Sequence, residues 1–122
     1  THASTFGGTP LVTAAAGRVL ELIAEPRFLD RVREAGAYLM QSLRALQARH
    51  PIIVDVRGRG LMVGAELSMP GQVVVDKCLE RGAIINCAHN TVLRLVPPLV
   101  VGQSEIDALI QILDDVLREV SA

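Results

Sequence analysis

The apolar positions of the chain change period several times, and each change marks an element. From Pro10 onward Leu11, Ala15, Val19, Leu22 and Ile23 fall near one helical face. Pro10 suits a first helical position, where its missing N–H costs nothing. Glu25-Pro26 interrupts this helix and opens a second. There Leu29, Val32, Gly36, Leu39, Met40, Leu43 and Leu46 recur at three and four residues, up to His50-Pro51. Ala35 and Gly36 would let another helix or a sheet approach closely. The period then shortens to two. Ile52 to Val56 is β-branched, Arg57-Gly58-Arg59-Gly60 reads as a turn, and Leu61, Val63, Ala65 and Leu67 alternate. Together these predict a hairpin.

After the break at Met69-Pro70-Gly71, Val73 to Arg81 is expected to be helical, with Gly82 as a left-handed cap. Ala83–Asn86 and Val92–Val96 are expected strands joined by a turn at Ala88-His89-Asn90-Thr91, and Pro97-Pro98 ends the pairing. The last helix carries the stripe Ile106, Leu109, Ile110, Leu113, Val116, Leu117 and Val120, with Ser104 and Asp107 resembling a capping box. The fold class expected is α+β, a small mostly antiparallel sheet with helices packed on one side. No internal repeat or low-complexity tract is visible.

Composition sharpens this picture. Half of the 122 residues are hydrophobic before the ten glycines are counted, above the roughly 45–50% usual even with glycine included. Aromatics are only 2%, so the excess is aliphatic. The expectation is that one face normally rests on further protein, and that a chain opening at Thr1 without methionine is a piece of a longer one. A net charge of -1 gives no basic face for nucleic acid. No apolar run approaches the ~20 residues of a membrane span. Cys78 and Cys87 lack a zinc-type cluster and read as small buried hydrophobes in a reduced, cytoplasmic protein.

Two places could bind an anion. Ser4-Thr5-Phe6-Gly7-Gly8 sets hydroxyls and paired glycines ahead of a helix, which suits a phosphate but equally suits a plain capping turn. Arg94 lies within Val92-Leu93-Arg94-Leu95-Val96, on the face opposite Leu93 and Leu95. A guanidinium there fits a carboxylate, or is an edge-strand arginine in solvent. Spacing alone leaves both pairs of readings open. The RGRG stretch lacks the aromatic neighbours of RNA-binding segments. His2, His50 and His89 share no metal-ligand spacing and read as loop residues, and no serine triad is supported.

Jointly the motifs carry a resemblance. His2-Ala3-Ser4-Thr5-Phe6-Gly7-Gly8-Thr9-Pro10-Leu11 resembles the H-G-S-T-[FY]-G-G-N-P-L stretch of class III aminotransferases. Val56-Arg57-Gly58-Arg59-Gly60-Leu61-Met62-Val63-Gly64 is similar to their V-R-G-x-G-L-M-x-G hairpin. Val92 to Leu99 with Glu105-Ile106-Asp107 is similar to their V-L-R-x-x-P-P-L…E-I-D ending, nearest the acetylornithine subgroup, which Ile85-Asn86-Cys87 also fits. Ala3 and Thr9 depart from the common Gly and Asn.

The resemblance implies a pyridoxal-phosphate enzyme, a homodimer in which Ser4 and Thr5 reach the cofactor phosphate of the other subunit, and Arg94 on the substrate α-carboxylate. It implies residues 1–25 as phosphate loop and connecting helix, and 26–122 as a small C-terminal domain. Amino-acid and 2-oxo-acid substrates follow, with N-acetylornithine and 2-oxoglutarate (arginine biosynthesis) ahead of ornithine, succinylornithine or 4-aminobutyrate. A stand-alone carboxylate-binding or assembly module is the other reading. No catalytic residue is assigned, because the family's Schiff-base lysine lies upstream of the S-T-F-G-G loop, and Lys77, the single lysine here, matches no motif. The chain alone is therefore expected to bind cofactor poorly and to be inactive.

Overall fold

In the computed structural model, residues 3–121 are described. The chain divides into two compact units, one up to Arg31 and one from Val32 onward. In the first, α1 (Pro10–Ile23) begins with Pro10 in the first turn, as expected, but none of its residues is buried. Its apolar stripe stays open, with Leu11 81% exposed.

In the second unit a four-stranded antiparallel sheet has the order β1-β2-β4-β3. Its strands are β1 (Ile53–Arg59), β2 (Met62–Leu67), β3 (Asn86–Ala88) and β4 (Val92–Leu95). The helices are α2 (Pro26–Arg49), of which the part from Val32 belongs to this unit, α3 (Gln72–Glu80) and α4 (Gln103–Val120). Period-two alternation buries Val63, Ala65 and Leu67 of β2 and Leu93 and Leu95 of β4. These pack with Leu39, Leu43 and Leu46 of α2, Val74 and Cys78 of α3, and Ile106, Leu113, Val116 and Leu117 of α4 in one core. The expected α+β class and its one-sided packing hold.

Several boundaries differ from expectation for local reasons. Arg57, Gly58 and Arg59 are strand, not turn, paired with Gly64, Val63 and Met62. The reversal is made by Gly60 and Leu61 alone, with Gly60 at φ 55°. Gly36 of α2 rests on this turn, where an added Cβ would come within 2.4 Å of the Gly60 carbonyl, so the close approach anticipated for Gly36 is to the sheet. A bulge at Val54 shifts the register, which lets Ile53 and Val56 both face the core three residues apart. The strand expected over Ala83–Asn86 forms instead at Asn86–Ala88, with His89 and Asn90 turning at φ 49° and 67°. Gly82 does take the left-handed form, at φ 84°. α4 is capped two residues earlier than Ser104 suggests: the Gly102 N–H donates to Glu105 at 3.0 Å, which is half of a capping box because glycine has no side chain to reciprocate.

His50 is not a loop bystander. It is 8% exposed, and its Nε2 donates to Asp114 Oδ1 at 2.5 Å. Arg49 and Arg118 each reach Asp114 Oδ2 at 2.9 Å, tying the end of α2 to α4. The His50 hydrogen bond foremost, with help from Arg49 and Arg118, holds the Asp114 carboxyl below the usual carboxylate range against the opposing effect of burial. A depressed folded-state value stabilises above the unfolded value of ~3.9 and stops doing so as pH falls through the folded value. Asp114→Asn should therefore cost roughly 2 kcal/mol at neutral pH, with the gap to the parent closing in acid below about pH 4. Urea unfolding across pH reads this; a gap that persists unchanged in acid contradicts it.

Candidate functional site

The sheet face away from the helices carries the chemistry. Alternation that sends Leu93 and Leu95 inward, at 1% and 3% exposure, sends Arg94 outward. β4 lies between β2 and β3, so Arg94 stands on an internal strand and the edge-strand reading is set aside. Across the sheet Arg57 pairs with Gly64, Gly64 with Arg94, and Arg94 with Asn86. Directly opposed residues share a face, so these four form one row.

The two arginines of that row are in opposite electrostatic states. Arg57 Nη1 donates to Asp55 at 2.7 Å and to Glu66 at 2.6 Å. Those hydrogen bonds, Asp55 first, raise its pKa further. The Arg94 side chain has no hydrogen bond or ion pair among the described residues. It lines an open depression of about 350 Å³ at the β3–β4 end of the sheet, with Asn86, Ile84, Ile85, Leu95, Val96 and Pro97 and with Leu109 of α4. An exposed guanidinium with all its donors unspent beside apolar surface can grip a planar anion.

The hydroxyl loop is built locally. Ser4 Oγ accepts from the Gly7 N–H at 3.1 Å, and Thr9 Oγ1 donates to the Phe6 carbonyl at 3.0 Å. Gly8 turns at φ 85°, and Thr9 then caps α1 without a side-chain bond. Ser4 therefore keeps its O–H free to donate, and Thr5 makes no hydrogen bond among the described residues. Both are exposed. This donor set, two hydroxyls beside a glycine turn, is chemically fit for a phosphate. His2, read as part of the same loop, lies outside the described residues.

Lys77 and Cys78 lie outside the depression at Arg94. Lys77 Nζ meets Glu119 at 2.5 Å, and Arg81 meets the same carboxylate at 2.7 Å. Lys77, then Arg81, lower the Glu119 pKa by hydrogen bonding. Cys78 is buried, and burial pushes its thiol up to about 11, so it stays protonated. No group of three or more His, Cys, Asp or Glu among the described residues could hold a metal, and no helix there is long and apolar enough to cross a membrane. Sequence reasoning missed Asn86 as the neighbour of Arg94; its signal, an Asn at a strand position, has no meaning until the pairing is known.

Comparison with known proteins adds the following. The family described as aminotransferase class III matches residues 1–117. An acetylornithine aminotransferase of Caldanaerobacter subterraneus is 47% identical over 120 residues, 98% of this chain and 30% of that protein. An ornithine aminotransferase of Staphylococcus aureus is 37% identical over 118 residues, 97% of this chain and 29% of that protein. The chain thus spans about 30% of the length of the curated relatives it matches. The crystal structure of a Bacillus anthracis aminotransferase superposes with a TM-score of 0.83 at 32% identity, covering 97% of this chain and 30% of that one.

Proposed function

The chain belongs to the class III aminotransferase family, and we propose that it supplies the carboxylate grip and the phosphate-facing loop of a pyridoxal-phosphate-dependent enzyme. In that enzyme an amino group passes between N-acetylornithine and 2-oxoglutarate, a step of arginine biosynthesis in the cytoplasm. The observation that carries this reading is Arg94: an arginine on an internal strand, exposed and free of any partner among the described residues. N-acetylornithine is preferred to ornithine because the acetylornithine relative is the more similar, at 47% against 37% identity.

In this reading residues 26–122 act as a small C-terminal domain and residues 1–25 as the phosphate loop and its connecting helix. Ser4 and Thr5 donate to the cofactor phosphate of the opposite subunit in a homodimer. When bound, pyridoxal phosphate supplies the electron sink that makes the carbon bearing the amino group acidic. Arg94 pairs with the substrate carboxylate through its two-pronged face and so fixes where the rest of the substrate reaches. Both the donor and 2-oxoglutarate carry a carboxylate, so one guanidinium serves each in turn. Lys77 has no part in this, being held by Glu119 on the surface of α3.

Two outcomes are expected. In the full-length enzyme, Arg94→Ala should weaken use of both amino donor and 2-oxoglutarate, lowering kcat/KM by about 2–4 kcal/mol, mostly through KM. Unchanged steady-state kinetics for both substrates would remove Arg94 from the site. The 122-residue chain alone, treated with pyridoxal phosphate and borohydride, should gain no specific covalent adduct. A stoichiometric adduct on Lys77 by mass spectrometry, with transaminase activity, would overturn the claim that the reactive amine lies elsewhere.

A further inference from the structure

The row of residues across the open face explains more than the presence of a free arginine. Arg57 is neutralised because two carboxylates stand on its own face, Asp55 two residues before it and Glu66 on the neighbouring strand. Arg94 occupies the equivalent outward position two strands away, yet its direct cross-strand neighbours are Gly64 on β2 and Asn86 on β3. Neither carries charge. Gly64 offers no side chain at all, and a Cβ there would press against Val92 at 3.1 Å. Asn86 is exposed and lines the same depression as Arg94.

A carboxylate has about four lone-pair directions, of which a bidentate guanidinium uses two. A neutral amide beside the guanidinium can donate to a further one, whereas an acid in that place would take the guanidinium for itself. We propose that Asn86 is a substrate-positioning residue that donates its amide N–H to the carboxylate held by Arg94 and, by being neutral, keeps that arginine available. The proposal rests on the carboxylate-binding reading of Arg94. β3 is an edge strand, so Asn86 can be exchanged without disturbing an internal ladder.

The test uses the full-length enzyme with Arg94→Ala, Asn86→Leu and Asn86→Asp. Leucine keeps the approximate shape of asparagine and removes the donor; aspartate recreates beside Arg94 the arrangement seen at Arg57. Asn86→Leu should raise KM for the amino donor and for 2-oxoglutarate about tenfold or more, the size of one lost hydrogen bond to a charged group. Asn86→Asp should raise both by a further factor of about ten through internal pairing and repulsion of the substrate anion, with the change in KM rather than kcat. A merely structural role for Asn86 would instead lower thermal stability and kcat in both variants alike. Unchanged KM in both Asn86 variants, or equal losses from leucine and aspartate, overturns the proposal while a raised KM in Arg94→Ala leaves the arginine reading standing. If Arg94→Ala also leaves KM unchanged, both fall together.

Discussion

Everything at the candidate site depends on one geometric constraint: a strand whose alternate residues are sealed into a core must present the others on the opposite face. Leu93 and Leu95 are packed against helices through the shared core, and each contributes of the order of 1.5–3 kcal/mol by leaving water. That burial fixes the rotation of β4 and hence the direction of Arg94. Slipping the strand by one residue would expose two leucines and bury a guanidinium. The helices at the back of the sheet therefore aim the arginine at its front. Gly36 seated on the Gly60 turn and the Asp114 cluster between α2 and α4 brace that backing layer.

On this fixed face, charge is arranged unevenly. Arg57 is closed off by Asp55 and Glu66, and exposed pairs of that kind contribute little to stability. Their consequence is that, of the two arginines in the row Arg57, Gly64, Arg94 and Asn86, only Arg94 keeps its guanidinium open. The ion pairs of Lys77 and Arg81 with Glu119 likewise occupy charge that lies elsewhere on the surface, between α3 and α4.

Much of this was legible in the residues, and the failures have physical causes. Helices with long apolar stripes, α2 and α4, were recognised because a 3.6-residue period persists over many turns. The alternation in β2 and β4 gave the inward leucines and outward Arg94 directly. The extent of β1 was misread because glycines and arginines in Arg57-Gly58-Arg59 look like turn residues, while cross-strand pairing with Met62, Val63 and Gly64 holds them extended. β3 is three residues long, too short for a period to declare itself. The partnership of His50 with Asp114 spans 64 positions, and no local pattern announces a contact at that distance. Strand order was likewise hidden, so whether Arg94 stood on an edge or inside could not be read from spacing. Ser4 and Thr5 stand out by composition, as hydroxyls ahead of paired glycines, and the family resemblance is what implies their phosphate role.

The most direct measurement of the central claim is a double-mutant cycle in the full-length enzyme between Arg94 and the substrate itself. One edge replaces Arg94 with Gln; the other replaces the carboxylate of the amino donor with a neutral carboxamide. If the guanidinium holds that carboxylate, the two changes share one interaction, and their effects on kcat/KM should fall short of additivity by about 2 kcal/mol or more. Additive losses, with no coupling between the arginine and the carboxylate, would contradict the account.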